Sequence, residues 1–120
     1  MKNLTTDEVL QLKDLPDYAL IDVRPLSVYE GYFPAHPELA GHIPGALSFP
    51  LGDMTDAETV AERLDDLGLG DKKLILYCNS GVTSVKAATA LKACGVAEDR
   101  LLNYPGSMEE WTSKGLDLVR

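Results

Sequence analysis

The stretch LILYCNSGVT, residues 74–83, decides the fold of this chain of 120 residues. Its first four residues form a continuous apolar run, which is typical of a strand buried on both faces of a sheet. The residues that follow the stretch, from about Ser84 to Cys94, are predicted to form a helix. A strand, a short loop and a helix in this order indicate an α/β domain.

Three other segments are predicted to be strands: Tyr18–Ile21, Ala46–Phe49 and Leu101–Tyr104. Because predicted strands alternate with predicted helices, we expect an α/β fold with a central parallel sheet flanked by helices. Ser27–Pro50 is rich in proline, glycine and aromatic residues and shows no clean period, so most of it is predicted to be a long ordered loop.

Three helix starts are indicated by capping boxes, in which a Ser or Thr cap is followed three residues later by Glu. The pairs are Thr5 with Glu8, Thr55 with Glu58, and Ser107 with Glu110. Gly68 stands where a left-handed residue would end the second of these helices.

The composition excludes several classes of function. The net charge of -8 leaves no basic surface for nucleic acid. No apolar run approaches the roughly 20 residues that a membrane span requires. Two cysteines are too few for a disulfide framework or a zinc site, and no metal is expected. The first residues show no secretory pattern, so we expect one cytoplasmic domain over residues 1–120.

The predicted strands point to one candidate site. Ligands of open parallel sheets bind beyond the carboxyl ends of the strands. Three predicted strands end in polar or reactive residues, in the segments Asp22–Arg24, Cys78 and Tyr104–Ser107. We therefore expect these segments to meet at one edge of the sheet.

The loop after Cys78 has the properties of an anion cradle. Gly81 allows a tight turn that brings backbone amides inward, and the next helix points its N-terminus at the loop. Such a cradle lowers the pKa of a thiol and favours a nucleophilic thiolate. The alternative is that Cys78 is a small buried apolar residue at the end of a core strand.

Four motifs give the chain a resemblance to rhodanese-like domains along nearly its whole length. In order, they are Asp22-Val23-Arg24, Gly41-His42-Ile43-Pro44-Gly45-Ala46, the loop Cys78–Thr83, and Tyr104-Pro105-Gly106-Ser107 with Glu110-Trp111. The resemblance implies the rhodanese α/β fold and sulfurtransferase activity. In that chemistry Cys78 takes a sulfane sulfur from a donor, becomes a persulfide and passes the sulfur to a thiophilic acceptor.

The loop is most similar to the catalytic domain of thiosulfate and 3-mercaptopyruvate sulfurtransferases, which usually contain two rhodanese domains. The thiosulfate type carries basic residues after the cysteine, where this chain has Asn79 and Ser80. Ser80 agrees with the mercaptopyruvate type. The resemblance implies no cofactor, and substrate contacts from Arg24, Asn79, Ser80, Gly81, Val82 and Thr83.

The expected partners are a small-molecule or protein-bound sulfur donor and a thiol or cyanide acceptor, with the protein a monomer or homodimer. The alternative function is a non-enzymatic sulfur-carrier or protein-interaction module. A phosphatase or arsenate reductase is disfavoured, because the loop lacks an arginine and is one residue too short.

Several individual roles stay open between chemistry and structure. Arg24 either lines the pocket or pairs with a nearby carboxylate such as Glu30. Thr83 either presents its hydroxyl and amide to the persulfide or caps the helix. Cys94 is expected to be structural, because the helix separates it from Cys78 by more than disulfide reach.

Overall fold

Strand β4, Lys73–Tyr77, lies at the centre of a five-stranded sheet in the computed structural model, which describes residues 1–120. The other strands are β1 (Lys2–Asn3), β2 (Tyr18–Asp22), β3 (Leu47–Ser48) and β5 (Leu101–Asn103). Their order across the sheet is β1-β5-β4-β2-β3, and every neighbouring pair is parallel. The predicted α/β fold with a central parallel sheet is confirmed.

Helices cover both faces of the sheet. They are α1 (Thr6–Leu12), α2 (Leu26–Tyr29), α3 (Ala57–Asp66), α4 (Val82–Ala93) and α5 (Ser107–Ser113). Single 3-10 turns occur at Pro37–Leu39, Leu51–Asp53 and Glu98–Arg100. The longest helix, α4, has 12 residues, and no helix combines the length and apolarity needed to cross a bilayer.

The core consists of two apolar clusters, one on each face of the sheet. Because successive side chains of a strand point to opposite faces, Leu74 and Leu76 of β4 join one cluster and Ile75 and Tyr77 join the other. The first cluster is completed by α3 and α4 through Val60, Leu64, Ala87 and Leu91. The second is completed by α1 and α5 through Val9, Met108 and Trp111.

The helix caps were predicted with mixed success. The Thr5–Glu8 capping box is present in both directions, at 3.0 and 3.2 Å. The Thr55 box is wrong: Asp56 caps α3 and accepts from the Thr59 amide at 2.8 Å. The carboxylate of Asp56, one residue after Thr55, supplies the acceptor that the Thr55 hydroxyl was expected to supply.

The third predicted box, at Ser107, is also wrong. The residue that caps α5 is Gly106, and Ser107 is the first residue of the helix. Its hydroxyl accepts from the Cys78 amide, just after β4, and donates to the Tyr104 carbonyl, just after β5, so it does not cap its own helix. A local sequence pattern cannot anticipate this tertiary contact.

Helix α4 begins two residues earlier than predicted. Its N-cap is Gly81, at a φ of +92°, so of the two roles left open for Thr83 the capping role is wrong. Gly68 has a φ of +70° after α3, as expected of a left-handed terminator. The segment Ser27–Pro50 is less irregular than predicted, since it contains most of α2 and one 3-10 turn in addition to β3, which lies within the predicted strand Ala46–Phe49.

The turn at His42 is anchored to its neighbours. The His42 ring stacks on Tyr29 with centroids 3.7 Å apart, and its Nδ1 lies 2.9 Å from the Tyr29 carbonyl oxygen. The Ile43 amide donates to the hydroxyl of Tyr77 on β4 at 3.1 Å. These contacts hold the long connection over the carboxyl ends of the strands.

Candidate functional site

The sulfur of Cys78 lies in a cradle of backbone amides. Cys78 directly follows β4, and its Sγ accepts from the amides of Gly81 at 3.1 Å and Ser84 at 3.3 Å. The left-handed Gly81 turns the chain so that the first turn of α4 points at the sulfur. The positive end of a helix dipole and two donated N–H groups therefore act on one atom.

This environment changes the acidity of the thiol. Burial alone would raise the pKa of Cys78, because it disfavours the charged form. The hydroxyl and amide of Ser84, the Gly81 amide and the nearby Ser107 hydroxyl favour the charged form, and together they outweigh burial. The net result is a pKa of Cys78 below its usual value, which favours the nucleophilic thiolate.

Ser107 joins the cysteine loop to the loop after β5. Its hydroxyl accepts from the Cys78 amide at 3.2 Å and donates to the Tyr104 carbonyl at 2.9 Å. The same oxygen lies 3.8 Å from Sγ of Cys78. Ser107 is fully buried and has a φ of +55°, a conformation that non-glycine residues rarely adopt. The local backbone strain is thus retained at the point of contact with the nucleophile.

The two loops are also joined through their backbones. The Met108 amide donates to the Cys78 carbonyl, and the Glu109 amide to the Asn79 carbonyl, both at 3.0 Å. A Cβ atom added to Gly81 would lie 2.6 Å from the carbonyl oxygen of Pro105. Glycine is therefore required at this position both for its φ angle and for the close approach of the two loops.

Arg24 is a buried structural centre beneath the cysteine loop. Its guanidinium pairs with the carboxylate of Asp22, with Nη2 2.7 Å from Oδ2. The remaining N–H groups donate to the Leu39 and Gly41 carbonyls and to Oδ1 of Asn79, the last at 3.2 Å. All five donors of the side chain are engaged within the protein.

Of the two roles left open for Arg24, this geometry therefore favours the structural one. The carboxylate partner is Asp22, two residues away, rather than Glu30. Because Arg24 holds the side chain of Asn79, it positions the first residue of the loop after the nucleophile.

A cleft of about 560 Å³ opens beside the loop. Its lining consists of His36, Glu38, Leu39, Asn79, Ser80, Glu109 and Thr112. Asn79 and Ser80 come from the cysteine loop, the Glu38 side of the cleft from the long connection, and Glu109 from α5. The cleft therefore borders the cysteine loop through Asn79 and Ser80, although Cys78 itself is not part of its lining.

The structure places the predicted loop residues in different positions relative to Sγ. Asn79 and Ser80 line the cleft, Gly81 donates its amide, and Val82 is 62% exposed on the outer side of α4. Thr83 is not among the residues that donate to Sγ. Cys78 itself is only 2% exposed, so only a narrow group could reach its sulfur.

Ser84 and Ser107 are the site residues that the sequence reasoning missed. Ser84 was assigned only to the helix, and Ser107 was placed in a capping box and in the strand-end segment Tyr104–Ser107, without a contact to the cysteine. The position of Ser107 after a third strand end was a usable signal for it, since three strand ends were expected to converge.

Other chemistry near the loop is limited. No three His, Cys, Asp or Glu side chains converge in a way that could hold a metal ion. The second thiol, Cys94, is free and lies at the far end of α4, roughly 18 Å away along 12 helical residues. It is beyond the reach of a disulfide with Cys78 in this fold.

Comparison with known proteins gives a consistent family assignment. The family model for the rhodanese-like domain matches residues 5–114. The HTH-type transcriptional regulator Rv0324 of Mycobacterium tuberculosis is 31% identical over 94% of the chain, and the mitochondrial thiosulfate/3-mercaptopyruvate sulfurtransferase 1 of Arabidopsis thaliana is 31% identical over 92%. The chain spans 42% and 31% of the length of these two relatives.

A solved structure extends the comparison. The crystal structure of a probable thiosulfate sulfurtransferase superposes with a TM-score of 0.70 at 33% identity. The match covers 98% of this chain and 47% of that chain.

Proposed function

Because the chain belongs to the rhodanese-like domain family, we propose that it is a sulfurtransferase that works through a persulfide on Cys78. Its donor would be thiosulfate, a mercaptoacid or another persulfide, and its acceptor a thiol or cyanide. Relatives named as sulfurtransferases and the structural similarity to a probable thiosulfate sulfurtransferase support this activity.

The observation that carries the proposal is the pair of amides that Sγ of Cys78 accepts from, those of Gly81 and Ser84. A buried apolar cysteine would have an ordinary or raised pKa, whereas the pKa of this thiol is lowered despite its burial. The N–H groups that stabilise the thiolate also suit the terminal sulfur of a persulfide, which is itself anionic.

The transfer takes place in two displacements. In the first, the Cys78 thiolate attacks the sulfane sulfur of thiosulfate, the new S–S bond forms, and sulfite leaves with the electron pair of the old one. In the second, cyanide or a thiolate attacks the outer sulfur and releases the Cys78 thiolate. No net proton or external electron is required when the cysteine begins as a thiolate.

Turnover tests the proposal. The reduced protein is incubated with cyanide and either thiosulfate or 3-mercaptopyruvate, and thiocyanate release is measured against time. We expect Cys78→Ser to abolish thiocyanate release and Cys94→Ser to preserve it, because only Cys78 lies in the cradle of amides. Release by Cys78→Ser at the wild-type rate would overturn it.

A second candidate is a sulfur-carrier or protein-interaction module. It is favoured by the similarity to a protein named as a transcriptional regulator and to one named as a sulfur carrier. The two candidates differ in turnover: a carrier retains a persulfide on Cys78 but shows no multiple-turnover release of thiocyanate with small donors.

A further inference from the structure

The cleft beside the cysteine loop has an unusual balance of charge for a site that handles sulfur anions. It is lined by two carboxylates, Glu38 and Glu109, and by no lysine or arginine. The only other titratable group in its lining is His36, whose Nδ1 lies 3.4 Å from Oε1 of Glu38. Any positive charge on His36 is therefore already shared with a carboxylate.

The nearest guanidinium does not compensate for these carboxylates. Arg24 reaches the loop through Asn79, but all its N–H groups are engaged and its side chain is buried beneath Leu39 and Gly41. A dianion in the cleft would face two negative side chains without a free cation. The attraction for an anion comes only from the loop amides, which serve Sγ itself.

We propose that Glu38 and Glu109 select sulfane-sulfur donors that carry an ammonium group next to the reacting sulfur. The proposal rests on the persulfide chemistry of Cys78 and specifies which donors the site prefers. In this arrangement the ammonium group lies in the cleft with the two carboxylates, and the donor extends toward Cys78 past Asn79 and Ser80, the two cleft residues that belong to the cysteine loop. The polar oxygens of Ser80 and Thr112 in the same lining suit an N–H donor.

The position of Glu109 makes it the stronger of the two determinants. Its amide is bonded to the Asn79 carbonyl at 3.0 Å, so its backbone is fixed to the cysteine loop. Glu38 lies on the 3-10 turn Pro37–Leu39, whose Leu39 carbonyl is held by Arg24. Glu109 is thus attached to an element that contacts the loop directly, and Glu38 to a turn that is joined to the loop through Arg24, although both side chains are exposed.

Two matched donors isolate the effect of the ammonium group. Ethanethiosulfonate carries one negative charge, and 2-aminoethanethiosulfonate adds one ammonium group to the same reacting head. In both cases the Cys78 thiolate attacks the sulfane sulfur, the sulfur–sulfur bond to the sulfonyl group breaks, and a sulfinate leaves with the electron pair. Thiosulfate serves as the dianionic donor in the same assay.

The experiment measures the rate of persulfide formation on Cys78 by intact mass at low salt, for the wild type and the double variant Glu38→Gln/Glu109→Gln. The matched control is Glu58→Gln/Glu62→Gln, which removes two exposed carboxylates from α3 and changes the net charge equally. Comparing the donor ratio between proteins cancels the intrinsic reactivity of each donor.

The wild type is expected to favour the aminated donor, relative to the double variant, by about fivefold, since each carboxylate at about 8 Å contributes about twofold in water. The double variant is expected to accept thiosulfate faster, and the control to behave like the wild type. At high salt the preference is expected to shrink.

Failure of this inference is distinct from failure of the proposed function. If all three donors load Cys78 and the donor ratio is the same in the wild type and the double variant, the carboxylates do not select the donor. A ratio that changes equally in the control would assign the effect to net charge and also overturn the inference. If no donor leaves a sulfur on reduced Cys78, the sulfurtransferase proposal itself fails.

Discussion

The backbone amide of Ser84 lies 3.3 Å from Sγ of Cys78, so the first turn of α4 donates directly to the candidate nucleophile. Ser84 is fully buried, and its hydroxyl donates to the Gly81 carbonyl at 3.2 Å. One residue therefore supports both the sulfur and the turn that shapes the cradle around it.

Ser84→Ala is expected to raise the pKa of Cys78, because it removes a nearby hydroxyl that lowers this pKa and that also holds the Gly81 turn, whose amide donates to Sγ. Alkylation by iodoacetamide tracks the thiolate, so its rate rises with pH through the pKa. The measurement is made in a Cys94→Ser background, so that only Cys78 reacts. The alkylation rate of the otherwise wild-type protein should rise at a lower pH than that of an ordinary thiol. With Ser84→Ala added, the rate should rise at a higher pH than without it. Thr89→Ala, which removes an exposed hydroxyl of the same helix, is the control; identical profiles for all three proteins would contradict the prediction.

Gly81→Ala is expected to destabilise the protein more than Gly68→Ala. Both residues have positive φ, which costs roughly 1–2 kcal/mol for alanine. At Gly81 the new methyl group would also meet the Pro105 carbonyl at 2.6 Å, whereas nothing lies within 4 Å of one at Gly68. Urea unfolding compares the two losses, and equal losses would show that the loop contact is unimportant.

The hydroxyl of Ser107 can be separated from its strained backbone by two substitutions. Ser107→Ala leaves the Cys78 amide without its partner and is expected to cost about 1–3 kcal/mol. Ser107→Gly loses the same hydrogen bonds but relieves the positive φ, so it should be less destabilising than alanine. Chemical denaturation measures both, and the opposite order of stability would refute the interpretation of the strain.

Arg24→Ala is expected to reduce stability by about 3–5 kcal/mol, because it leaves the buried carboxylate of Asp22 without a partner. Arg63→Ala, which breaks the partly exposed pair with Asp53, should cost less than about 1 kcal/mol. If Arg24→Ala remains folded, its KM for thiosulfate should be similar to the KM of other variants that have lost the same amount of stability. A large rise in KM at unchanged stability would instead assign Arg24 to substrate binding.

The fold was largely predictable because its main signals are local. Apolar runs such as Leu74–Tyr77 and the Thr5–Glu8 box predict a buried strand and a helix start without any tertiary information. The edge strand β1 was missed because Lys2 and Asn3 are exposed and polar, and only backbone pairing with β5 makes them a strand.

The site was predictable in outline but not in its supporting contacts. The cradle followed from Cys78, Gly81 and the helix after them. The interlock through Ser107 depends on a contact between residues 29 positions apart in the chain. The engagement of Arg24 likewise depends on carbonyl groups of the long connection, which no local pattern of residues indicates.

Persulfide formation on Cys78 is observed most directly as a change in intact mass. The reduced protein is incubated with a sulfane-sulfur donor in the absence of any acceptor, and its mass is then measured. We expect the wild type and Cys94→Ser each to gain one sulfur atom, which cyanide then removes, and Cys78→Ser to gain none. A sulfur atom retained by Cys78→Ser, or none gained by the wild type while Cys78 is demonstrably reduced, would contradict it.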